Sequence, residues 1–154
     1  MLKRIFSSLA ADFMGPFTSI NYICEIMLES KGCIDKAMLE NNCIIMKNAA
    51  KIASIKTKTF LDLNMILNKT FMSMMTTCRP VEMAQEIAGV MDQHMKSRYV
   101  KLDIKSKEFS VACDQNRVEQ VLLNMLSQAI NSSARQSTIE VSFMLVQKET
   151  NKKF

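Results

Sequence analysis

Tryptophan is absent from this chain, and histidine occurs once, proline twice and glycine three times. Cysteine occurs five times, at Cys24, Cys33, Cys43, Cys78 and Cys113, an odd number that never forms a C-x-x-C pair. That pattern speaks against a zinc site or a disulfide framework and for a reducing, intracellular setting. No uncharged apolar run approaches the roughly 20 residues needed to span a bilayer. The opening residues, Met1 to Ile5, lack the long apolar stretch and cleavage site of a signal peptide. The expectation is a cytoplasmic chain with no membrane insertion. Aromatics do not interleave with the lysines between Lys36 and Lys69 as base-stacking platforms would, so nucleic acid is not expected as a partner.

What is present suffices for a folded protein. The chain has 154 residues, 48% of them hydrophobic, enough for one ordinary domain or two small modules with a real core. Fourteen methionines imply soft, adaptable packing and need no cofactor to explain them. The net charge of +5 leaves room for a basic helical adaptor that follows phosphates or an anionic membrane surface.

Two long helices open the chain. Ile5, Leu9, Phe13, Phe17, Ile20, Cys24 and Met27 recur every three or four residues and form one apolar stripe. The break at "ESKGCIDK" supplies Gly32 to close the first helix and Asp35 to cap the second. The second helix is predicted from about Lys36 to about Asn68, with Met38, Ile45, Ala49, Ile52, Leu63 and Ile66 on one face. A hairpin of this kind cannot cover both stripes alone, and a second copy would complete a four-helix bundle. After residue 71 the texture changes. "TFMSMMTTC" is strand-like, and Pro80 opens a short helix carrying Val81, Ala84, Ala88, Met91 and Met95. "VKLDIK" alternates as a strand, with Val111 and Cys113 as its antiparallel partner. Asp114 caps a helix whose Val118, Val121, Leu122, Met125 and Ala129 point inward, and Ile139, Val141, Phe143 and Leu145 share one face of a last strand. The fold class is α+β: a hairpin over 1–71 and a second module over 72–154. The sole histidine, His94, reads as an ordinary surface or capping residue.

Two segments resemble the core of sensor histidine kinases. "AADFMGPFTSI" lies over the family's phosphoacceptor motif, commonly S-H-E-L-R-T-P-L, with Pro16 on the motif proline, Phe13 on the leucine and Asp12 on the acidic residue. "CDQNRVEQVLLNMLSQAINSS" is similar to the N-box helix of the family's ATP-binding domain, matching it at Asp114, Arg117, Val118, Gln120, Leu122, Asn124, Leu126 and Ala129. Asp114 and Arg117 are also readable structurally, as cap and surface residue. The resemblance implies a dimeric helical hairpin followed by an α/β-sandwich ATPase-like module, of which this chain holds about half. It also explains the Gly15–Pro16 pair. Pro16 has no N–H for the Asp12 carbonyl and pushes Gly15 away from helical angles, so the helix is expected to bend there.

The departures bear on activity. The family's reactive histidine falls at Ala11, whose methyl group has no lone pair to attack a phosphate. Asn124 matches the first N-box asparagine, but Gln128 stands where the second would help hold Mg²⁺, its oxygen displaced by one methylene. Asn131 replaces a basic residue that would face phosphate. No glycine follows Gly89 and no aspartate follows Asp114, so the adenine-reading carboxylate and the glycine-rich lid are missing. The family uses ATP and Mg²⁺; none is expected for this chain. The expectation is a catalytically silent histidine-kinase-like module of two-component signalling. It self-associates, or pairs with an intact kinase, or docks a response-regulator receiver domain; a membrane-tethered parent kinase is compatible with this reading. A fragment of a working kinase and a decayed gene remnant are the alternatives, beside the basic adaptor.

Overall fold

The computed structural model describes residues 2–30 and 34–144, with side chains described from Phe13 onward. Its first element, α1 (Leu2–Glu29), is followed by α2 (Lys36–Leu67), and the two pack along each other as a hairpin. At about 1.5 Å per residue they extend roughly 42 and 48 Å. Asp35 caps α2 as expected, its Oδ1 accepting from the Met38 N–H at 2.7 Å. Gly32, Cys33 and, further on, Leu145 lie outside the described residues.

The helices seat narrower stripes than their sequences offer. On α1 the inner line is Phe13, Pro16, Ile20, Ile23 and Met27, while Phe17 and Cys24 turn outward. On α2, Ala49 is buried and Ile45, Ile52 and Leu63 are half-buried, but Met38 and Ile66 are exposed. One helix touches only one side of its neighbour, so an apolar stripe wider than that line stays uncovered in a single hairpin. Gly15 remains helical, contrary to expectation, and α1 runs unbroken through Pro16. α1 packs along α2, and this packing supports the helical path although Pro16 cannot donate to Asp12.

The remaining elements are β1 (Thr76–Cys78), α3 (Pro80–Arg98), β2 (Lys101–Lys105), β3 (Val111–Cys113), α4 (Gln115–Ser132) and β4 (Thr138–Ser142). Pro80 is the first residue of α3, where its missing N–H leaves nothing unpaired. The strands pair differently from the sequence expectation. β3 joins β1 antiparallel, and β2 runs parallel to β4, Leu102 opposite Ile139 and Ile104 opposite Val141. The segment after β2 does not turn back on it; the Ser106 hydroxyl there lies within hydrogen-bond distance, 3.1 Å, of the Phe143 carbonyl at the end of β4. Of "TFMSMMTTC" only the last three residues are strand.

The core lies between α3, α4 and the inward faces of the strands, with Ile87 and Ile130 fully enclosed. Ile55 of α2 belongs to the same cluster and Ile52 packs against it. The hairpin therefore contributes directly to the core of the second half.

Candidate functional site: the cleft beneath the helix that carries Asn124

α4 is the element on which the N-box resemblance rests, and its orientation is set by polar contacts. Its buried face is Glu119, Gln120, Leu122, Leu123, Leu126 and Ile130. Val121 and Met125, expected inside, are 54% and 64% exposed. The helix is turned because two polar side chains find partners against α2. Glu119 receives Lys51 Nζ at 3.4 Å and Gln115 Nε2 at 3.0 Å, and Gln120 Nε2 donates to Asp62 Oδ2 at 2.8 Å. A buried polar group without partners would cost several kcal/mol on transfer from water, roughly 2–7 by the choice of reference. The position that satisfies both groups outweighs the exposure of two apolar residues.

Arg117 closes the same seam. Its guanidinium pairs with Asp62, and its Cζ lies 4.9 Å from the centroid of the Phe71 ring. It is therefore half-buried, not a surface residue. Asp114 caps α4, as expected, and reaches further: Oδ2 accepts from the Met74 N–H at 2.8 Å and the Ser73 hydroxyl at 3.3 Å. The Met74 N–H, the Arg117 N–H and charge, and the Ser73 hydroxyl hold the Asp114 carboxyl below its ordinary value against the opposing effect of burial. Phe71, Ser73 and Met74 are thereby fixed to the start of α4. Lys58 of α2 adds a bond to Asn116 Oδ1 at 2.6 Å.

The turned helix directs Asn124, Gln128 and Asn131 outward, and all three are exposed. Their side chains supply two carboxamide oxygens at Asn124 and Gln128 and a third at Asn131. The Asn131 backbone carbonyl, not its carboxamide, accepts from Arg98 Nη2 at 2.6 Å. Among the described residues no cluster of three His, Cys, Asp or Glu side chains could hold a metal ion. Ala11 and Asp12 lie on α1, but their side chains are outside the described residues.

The structure brings Pro16 and Asn124 to one place. A cleft of about 440 Å³ opens between Gly15, Pro16 and Ser19 of α1, the middle of α2, and the adjoining faces of α3 and α4. Asn124 and Ser127 edge it from α4, and His94 from α3. His94 is half-buried there, so it is neither a plain surface residue nor a cap. In sequence nothing marked it, since a lone histidine at one position of an amphipathic helix carries no spacing signal. The exposed Ser19 hydroxyl donates to the Gly15 carbonyl at 3.1 Å, and Asn48 Nδ2 to the Gly89 carbonyl at 3.2 Å, which ties α2 to α3.

With that geometry in hand, the fold is that of a histidine-kinase core: a long helical hairpin followed by a small α+β module. A solved chain with this fold is the Acinetobacter baumannii histidine kinase AdeS, similar at a TM-score of 0.53 over 85% of the present chain, with 15% sequence identity. The present chain spans 64% of that kinase chain. The histidine kinase ThkA, solved in complex with the response regulator TrrA, aligns over 92% of this chain and 41% of its own at 16% identity and a TM-score of 0.44. Neither a protein-family model nor a curated protein sequence matches the chain. No helix among the described residues is long and apolar enough to cross a membrane.

Proposed function

We propose that this protein is a histidine-kinase-like component of two-component signalling that assembles through its hairpin and transfers no phosphoryl group itself. One observation carries the reading. Gly15, Pro16 and Asn124 line a single cleft, which supports reading α1 as the phosphoacceptor-like helix and α4 as the N-box-like helix, with Ala11 at the acceptor position of the motif alignment. The donor set does not fit Mg²⁺–nucleotide. Gln128 and Asn131 offer exposed neutral amides where an asparagine and a cation are needed. The hairpin is the part left to act. Its uncovered apolar residues favour a second hairpin, from another copy or from an intact kinase, and a receiver domain is the natural further partner of such a bundle.

Incubation with labelled ATP and Mg²⁺, followed by an acid-labile phosphate assay, is expected to give a blank. Size-exclusion chromatography with light scattering is expected to give twice the 17.5 kDa chain mass. Acid-labile phosphate on the hairpin would overturn the silent reading; a strictly monomeric folded particle would overturn assembly.

A further inference from the structure

We propose that the cleft between hairpin and module is a binding site for a small amphipathic carboxylate, an aryl or medium-chain acid. This inference rests on the cleft itself and stands whether or not the chain takes part in signalling. Its volume of about 440 Å³ falls in the range of small-ligand sites, about 300–1,000 Å³. Its walls are aliphatic: Ile45 and Ile52 from α2, Val90 and Met91 from α3, Leu123 from α4. At Gly15 the wall is open, because a Cβ placed there would meet nothing within 4 Å.

The polar groups at the rim decide the ligand's charge. They include the His94 imidazole, the Asn124 and Gln93 amides, the Ser127 hydroxyl and the Lys56 ammonium, while Ser19 and Asn48 also line the cleft but donate to backbone carbonyls, and no carboxylate lines it among the described residues. Lys56 already has a partner. It contributes positive potential, and His94, Asn124 and Ser127 are the groups that meet the head group directly. An apolar body against the walls with an anionic head at these donors satisfies both halves of the surface, whereas a cationic head finds no acceptor of opposite charge. A ligand so placed touches all four helices and holds the hairpin against the module.

The test uses the full chain with ¹³C-methyl methionine and decanoate as probe. Met91 reports on the cleft; Met144, exposed, and Met83, buried in the core, are controls. Decanoate is expected to shift the Met91 methyl saturably and leave both controls in place. Decyltrimethylammonium is expected to leave Met91 unmoved. His94→Ala should weaken decanoate about tenfold, the loss of one hydrogen bond to a charged group. Gly15→Leu projects a side chain into open space and should abolish binding while circular dichroism stays native. If that variant fails to fold, His94→Ala decides. A Met91 methyl that ignores decanoate, equal shifts from the cationic amphiphile, or full affinity in the folded Gly15→Leu chain would each overturn the proposal.

Discussion

Asp114 does three things with one carboxylate. It caps α4, anchors the Ser73–Met74 backbone and stands 3.9 Å from Arg117 Nε. The Met74 N–H is the chief cause of its depressed pKa, followed on the same side by the Arg117 N–H and charge and the Ser73 hydroxyl. A carboxyl held below the ordinary 3.8 adds stability that is complete above the unfolded value and is lost as pH falls through the folded one. Asn caps a helix about as well as Asp, so Asp114→Asn isolates the charge. Urea unfolding at neutral pH should show the variant less stable by roughly 1–2 kcal/mol. The gap between the two proteins should close as pH drops below 3.8. A gap that stays constant through the acid limb would show that the charge does not anchor the seam.

Among the elements, Pro16 inside a continuous α1 is the most testable. An interior proline costs a helix about 3 kcal/mol relative to alanine, from the lost N–H and the ring's contact with the preceding turn. Pro16→Ala restores the donor to the Asp12 carbonyl and should raise hairpin stability by roughly 2–3 kcal/mol in thermal or urea unfolding. A loss of stability would mean that the ring's packing at the cleft outweighs the missing bond. The elements themselves were legible from periodicity and caps: Asp35, Pro80 and Asp114 stand where the helices begin. The face of α4 was not. Ranking side chains by hydrophobicity puts Val121 and Met125 inside and Glu119 outside, and only the distant partners Lys51 and Asp62 reverse that order. Strand pairing failed for a similar reason, since Val111 and Cys113 follow β2 in sequence while their partner, β1, lies on the far side of α3. The candidate site was legible as two motifs, Pro16 and Asn124, but not as one cleft. Its third edge, His94, carries no local signal.

At the scale of the whole molecule, two surfaces compete for the hairpin. One face of the far half of α2 is already covered, because Ile55 enters the core beside α3 and α4 and Asp62 holds Arg117 and Gln120. The outer line remains: Phe17 at 56% and Leu28 at 80% exposure on α1, with Leu39 and Leu61 on α2. Burying such a line is worth about 25 cal/mol per Å² of apolar area, and a second copy of the chain can supply the cover. An assembly that binds only folded chains makes stability depend on concentration. The melting temperature should therefore rise steadily with protein concentration. Phe17→Lys places a charge on this line at a position exposed in the single chain, so the monomer's fold should tolerate it. Its melting temperature should lose the concentration dependence, and its mass by light scattering should fall to 17.5 kDa. If Phe17→Lys melts and sediments as the parent does, assembly does not use this face. If the parent's melting ignores concentration, the exposed line serves another partner.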